Sequence, residues 1–565
     1  MATNAFPAIK HLRALRQVFG ENVEREKRLL LAQLRAVRLT THAQVNALHE
    51  DLLFVCAFPG ASTTRALARR MLTGIGERHQ NLPSSQRRAA EDSGIAASIT
   101  RHVFPYSIVQ WLARTAREDL DIDWRNFDEP SRLDGFVGLL LRDAEREAFD
   151  SGEFTTREWI RLARRADART DLEWLMEAAS ASPALAARLA DTWDDAEVPL
   201  EWKLRDSRWS ATHNRLAGVP ASYRTHMRRP AADVIADVAR PLESIERLSR
   251  SRAQRVVAAA RAALAARCRE VNAMTYPNRD EIYWCDLGEG VALAVIGIAR
   301  DQRLTLETNT GYLLFANGVP IGYGGVTPLF RQANTGINIF DPFRGAEAAY
   351  LWTQMLRAFH TLYGSRRFVI NPYQFGAGNA EAIQSGAFWF YYRLGFRPAH
   401  AKTRNLAARE AARMASDRRY RSDVRTLKAL ATGDLYLDLP GFEPNDFFAE
   451  ALLPQVGACA ARQLAKVGVW PRGQAERRLA DAVATDLGIT DLGRWQAHER
   501  RGFEFLAPVV ASLGTLRGWS ATERDAVAAM MRAKGSPQER DFALAAQRAS
   551  RFHRELAARL RQPTP

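Results

Sequence analysis

From the first residue to about 270, apolar positions recur at helical spacing. Leu30, Leu34 and Val37 share one helix face, and Leu172, Leu175 and Ala179 share another. Residues 242–271 read as one long Ala/Arg helix, with Ile245, Leu248, Val256, Val257 and Leu264 toward a core. Pro59-Gly60, residues 81–85, Pro130 and Pro220 break the pattern.

The texture changes near Asn272. From Tyr283 to Phe340 the chain becomes β-branched, aromatic and glycine-rich. Asn317-Gly318 stands between two apolar runs, which signals a hairpin turn with two positive φ angles. A second turn at 331–336 precedes INIF. The pattern predicts a three-stranded antiparallel meander over 311–317, 319–328 and 336–340, with LTLET at 304–308 as a candidate extra strand. A helix follows, with Leu351, Met355, Phe359 and Leu362 on one face and Gly364 as its stop. Next come strand FVIN (368–371), a loop, and a helix EAIQSGAFWFYYRL that ends at Gly395. Two basic helices over 402–430 and strand DLYLDL (434–439) complete the segment. From Pro440 onward the pattern is helical again.

Composition narrows the class. The 565 residues are too many for one core, and 47% hydrophobic with 25% charged residues is globular rather than disordered. The net charge of +15 admits an acidic partner, but 72 arginines against seven lysines point to a composition bias. The charge is also uneven, since residues 101–200 hold 13 Arg and 21 Asp or Glu. Cys56, Cys268, Cys285 and Cys459 form no C-x-x-C pair, so neither a zinc ribbon nor a disulfide framework is indicated. No signal-type apolar region and no uncharged bilayer-spanning run occurs, so the expectation is a cytoplasmic protein with no membrane partner. DLDID (119–123) lacks further metal ligands, and no metal is expected.

The element order β-β-β-α-β-α resembles the GNAT acyltransferase superfamily, over about 275–440. Two stretches carry the resemblance. INIFDPFRGAEAAY (337–350) is placed like the family's pyrophosphate-binding strand–turn–helix, and AFWFYYRLGF (387–396) is similar to its A-x-x-x-Y-x-x-x-G-F signature, with Ala387, Tyr391, Gly395 and Phe396 in register. The expected fold class is therefore α+β: a GNAT-like mixed-sheet domain at 271–440, flanked by all-α helical regions at 1–270 and 441–565.

The resemblance implies roles for particular residues. Phe340, Arg344, Gly345, Ala346, Glu347, Ala348 and Ala349 would hold the diphosphate of acetyl-CoA or another acyl-CoA, with Asn379 toward the pantetheine arm. Tyr391 would be the general acid that protonates the departing thiolate. Asp341 is the nearest candidate base, and Glu307 another. A helix N-terminus suits a diphosphate on physical grounds, because its unpaired N–H groups and dipole attract anions. Glu347 is the departure, for it takes the place of the family's first glycine. A carboxylate ~5 Å from a phosphate charge costs roughly 3 kcal/mol per charge at an effective dielectric near 20. Either Glu347 points away and Gly345 gives the close approach, or the coenzyme site is lost. A plainer reading has the helix start at Pro342 with Asp341 as its cap.

Two functions follow from these features. One is an acyl-CoA-dependent N-acyltransferase acting on an unassigned amine. The other is a degenerate GNAT fold used as a binding module or scaffold. The nine Arg or Lys against three acids at 402–428 admit nucleic acid as a partner, or form the solvated face of two helices.

Overall fold

A computed structural model describes residues 5–164, 169–205, 207–468, 471–514 and 516–561. The architecture is mixed α/β, with helices predominating. No helix among the described residues is long and apolar enough to cross a membrane.

The N-terminal region is not all-α. Three short strands, β1 (Ile99–Val103), β2 (Leu120–Ile122) and β3 (Pro199–Lys203), form an antiparallel sheet in the order β1-β3-β2. They pack with the helices of 106–196 around Trp193 and Trp202, both fully buried. A fourth strand, β4 (Ile245–Arg247), corrects the single long helix expected over 242–271. The helix runs only from Arg250 to Ala265.

β4 is one edge of the large sheet, which continues through β5 (Pro277–Asp286), β6 (Val291–Ile298), β7 (Thr310–Ala316), β8 (Val319–Leu329) and β9 (Gln332–Thr335). Beyond them lie β10 (Asn338–Ile339), β11 (Arg367–Ile370), β12 (Arg397–Pro398) and β13 (Leu435–Asp438). The order is β12-β13-β11-β9-β8-β7-β6-β5-β4, with β10 paired only to β8. β6 and β7 are buried at every position, so both faces of the sheet centre are covered. Helix Arg250–Ala265 packs on β5 and β8, and helix Ala348–Tyr363 reaches β7 through Phe359 on Tyr312. The hairpin between β7 and β8 turns at Asn317 and Gly318, with φ of 48° and 79°. LTLET forms no strand; its Leu306 joins the core of the C-terminal helices instead.

One feature of this sheet shapes the rest of the molecule. β9 runs parallel to β11 from Gln332↔Arg367 to Asn334↔Val369, and that pairing then ends. The chain breaks at Gly336, where a Cβ would stand 2.6 Å from the Gln374 side chain, and resumes as β10 on β8 alone. The expected strand 336–340 thus shrinks to β10, and the turn expected at 331–336 holds β9 instead, so the third meander strand starts at Gln332. Beyond the break no ladder joins β10 to β11, and the sheet is open between them.

Helix Ala348–Tyr363 follows and stops at Gly364, whose φ is +68°. The aromatic segment after β11 is two helices, Ala380–Ser385 and Ala387–Arg393, separated by left-handed Gly386. The C-terminal helices form a separate core around Phe503, Val527 and Phe542. They are fastened to the sheet by Glu281 of β5, whose carboxylate accepts the backbone N–H groups of Glu539 and Arg540 at 2.8 Å each. Those amides open helix Glu539–Arg548, so the carboxylate serves as a cap supplied from another part of the chain.

Candidate functional site

The segment after β10 builds a short ledge. Residues Asp341–Phe343 make a 3-10 turn, Gly345 takes φ +76°, and the α-helix begins only at Ala348. Asp341 is therefore not the cap of this helix, as the plainer reading had it. Glu347 occupies the cap position, and its side chain makes no capping hydrogen bond. The first amides of the helix thus keep the open donors of an N-terminus. A Cβ at Gly345 would meet nothing within 4 Å, so the ledge is open there.

Glu347 faces the other way. Its carboxylate is fully buried and paired with two arginines of the segment before β4. Arg224 Nη2 donates to Oε2 at 3.1 Å, and the backbone N–H of Arg228 donates to Oε1 at 3.0 Å. Arg228 Nη2 also donates to Oε2 at 3.2 Å. Glu289 completes the cluster, accepting from Arg224 at 2.8 Å. The charge at position 347 is neutralised behind the ledge.

In front of the ledge lies a groove of about 1020 Å³. Of the residues singled out from the sequence, Phe340, Asp341, Arg344, Gly345, Ala348, Asn379 and Tyr391 all line it. Ala346 and Glu347 do not. Ala346 borders a different opening on the far side, beside Phe19 and Arg228, and Ala349 packs against the main core. Arg344 is exposed and held between two acids: Asp341 at 2.9 Å and Glu381. Asn379 caps helix Ala380–Ser385 by accepting from the Ala382 N–H at 3.0 Å, so its side-chain oxygen is engaged.

Tyr391 lies at the inner end of the groove, 3% exposed, among Trp352, Phe375 and Phe396. The Ile337 backbone, at the strand break, offsets a part of what burial does to its phenol. Burial holds the phenol well above the usual tyrosine range, so it keeps its proton at neutral pH. Phe388 and Trp389 are core residues, as the all-round apolar helix implies. Gly324 and Gly325 of β8 also border the groove. A Cβ at Gly324 would fall 2.4 Å from the Tyr312 hydroxyl, so this glycine makes room for a neighbouring phenol.

Several sequence candidates lie elsewhere. Glu307 is near Glu450 and Lys534, toward the C-terminal helices, and is not in the groove. None of the basic residues at 402–428 lines it. Asp121 of DLDID accepts the Leu172 N–H, and no group of metal-binding side chains occurs among the described residues.

The groove also has a wall that the sequence did not disclose. Arg267 and Arg269, just past helix Arg250–Ala265, face the ledge with Tyr323 of β8, and His49 comes from helix His42–Ala57. The Arg267 guanidinium sits 4.2 Å from the centre of the Phe340 ring, and Tyr323 stacks on that same ring. Burial pushes Arg267 down to about 10, opposed by Asp341. His49 is hydrogen-bonded to Thr212 Oγ1 at 3.0 Å. Burial, and then the charge of Arg267, pushes it down to about 3.

His49 therefore stays neutral in the fold, whereas a free histidine titrates near 6.5. The unfolded chain binds the extra proton, so its contribution to stability is complete above pH 6.5. That contribution is lost as the pH falls toward about 3. A His49→Gln variant should show a shallower decline of melting temperature between pH 6.5 and 4 than the parent protein. Parallel declines in the two proteins would contradict the assignment.

Comparison with family models, with curated proteins and with solved structures finds no match to this chain.

Proposed function

We propose that the segment from β5 to β13 is a GNAT-type acyltransferase unit that takes an acyl group from an acyl-CoA to an amine. The observation that carries this reading is the parting of β10 from β11 beside an open helix N-terminus, with Tyr391 reaching the part. A pantetheine arm is an extended chain with amides of its own, and unpaired strand edges suit it. The diphosphate would rest on the amides of Gly345 and Ala348, with Arg344 swinging from Asp341 and Glu381 to the phosphates. Of the residues the resemblance implies, Glu347 and Ala349 would contribute through backbone alone, and the Ala346 N–H is taken by the Phe343 carbonyl at 3.3 Å.

The chemistry is one substitution. The amine nitrogen forms a bond to the thioester carbon, the carbon–sulfur bond breaks, and the sulfur receives a proton from Tyr391. The nitrogen gives up its own proton to Asp341 or to water in the open groove. Backbone N–H groups at the freed edge of β10 are suited to the developing oxyanion.

The scaffold alternative drew on Glu347, and that carboxylate is turned away and neutralised. No observation now favours it. Incubation with acetyl-CoA and a panel of amines, with free thiol and N-acetyl products quantified, tests the proposal. Thiol release coupled to an N-acetylated product is expected, and release no faster than without protein across the panel would refute the catalytic claim.

A further inference from the structure

The charges around the groove are not balanced equally. Three of the five carboxylates on its walls are paired with arginine. Asp341 and Glu381 pair with Arg344, and Glu50 pairs with Arg13 at 2.8 Å. Glu270 meets His102 at 3.4 Å, and Asp92 accepts the Arg101 N–H at 2.6 Å. The arginines Arg267 and Arg269 differ. Among the described residues neither has a carboxylate within 4.0 Å, and the one side-chain hydrogen bond of Arg267 goes to the Ala263 carbonyl at 2.9 Å. Both arginines line the groove with Tyr323, and His49 beside them carries no charge at neutral pH. A guanidinium set face-on to an aromatic ring keeps its N–H edge free for a ligand.

We infer that Arg267 and Arg269 form a receptor for a carboxylate on the acceptor, so that the acceptor is an amino acid or a similar amine acid. The inference rests on the acyltransferase reading for the word acceptor, and on the groove alone for the anion. Position supports it: Arg267 lies on Phe340, the residue that follows the β10 edge where the thioester is proposed to lie. The guanidinium fork binds a carboxylate bidentately, and the acids on the same walls attract the ammonium group that an amino acid carries beside it.

The test is binding of product-like probes, which needs no turnover. N-acetyl amino acids, their carboxamides and N-acetylphosphoethanolamine are titrated into the full chain by ligand-observed NMR, and acetyl-CoA is titrated in parallel. At least one N-acetyl amino acid should bind tenfold or more tightly than its carboxamide. That preference should fall at least tenfold in Arg267→Gln and in Arg269→Gln, with acetyl-CoA affinity within twofold of the parent. Arg269 is exposed, so its variant reports even if Arg267→Gln folds poorly. Equal binding of acid and carboxamide, binding of the phosphate probe alone, or loss of acetyl-CoA affinity instead would overturn the inference. If acetyl-CoA does not bind the parent protein, the acyltransferase reading fails while the contrast between acid and carboxamide still decides the carboxylate site.

Discussion

Replacing Glu347 with glutamine should lower the unfolding free energy by about 3–5 kcal/mol and should leave acetyl-CoA affinity no better than before. The residue stands where the resemblance calls for glycine, so sequence logic alone suggests that removing its charge would open the site. The structure reverses that expectation. Oε1 and Oε2 take contacts from Arg224 and Arg228, whose side chains are 1% and 9% exposed. Without the carboxylate two buried guanidinium groups are left with Glu289, which is half exposed, as their nearest acid. An uncompensated buried charge is among the costliest single changes a core can suffer. Scanning calorimetry on the variant should show a fall of several degrees in the transition of the main core. An unchanged transition with a tenfold gain in acetyl-CoA affinity would mean that Glu347 guards the ledge after all.

The second large effect belongs to Tyr391. Tyr391→Phe should cut kcat by about 10²–10⁴-fold, the range of a lost general acid. KM for acyl-CoA should stay within about twofold. The ring remains to pack against Trp352, Phe375 and Phe396, so the fold should lose no more than about 1 kcal/mol with the hydroxyl. Because burial holds the phenol above its usual range, the rate should show no basic limb from this group up to pH 10. Thiol-release kinetics on both proteins measure the effect. A kcat within threefold of the parent would remove Tyr391 from the chemistry and leave it as a core residue.

The sequence was most legible where a feature is local. Asn317-Gly318 makes its hairpin, Gly364 stops its helix, and seven of the singled-out residues meet on one groove. It was least legible where partners are distant. β1 and β3 pair across about a hundred positions, and each is only five residues long, so no period marks them. VALAVIGI of β6 is a continuous apolar run, which periodicity cannot tell from a buried helix. The direction of Glu347 depends on Arg224 and Arg228, more than a hundred residues earlier. Arg267 and Arg269 were hidden by abundance, two among 72 arginines. Charge counting pointed to 402–428 instead, and that stretch does not reach the groove.

The proposed chemistry depends on an acyl-CoA whose diphosphate rests on the ledge at Gly345. Isothermal titration of acetyl-CoA into the parent protein and into Gly345→Asp separates that placement from any other. Aspartate tolerates the left-handed backbone at this position, and its side chain enters open space, so the variant should fold. It also puts a carboxylate where the phosphates would sit, at a cost of roughly 3 kcal/mol per charge. The parent protein should give saturable heat, and the variant should bind at least a hundredfold more weakly. No heat from the parent at millimolar acetyl-CoA, or equal binding by both proteins, would contradict that placement.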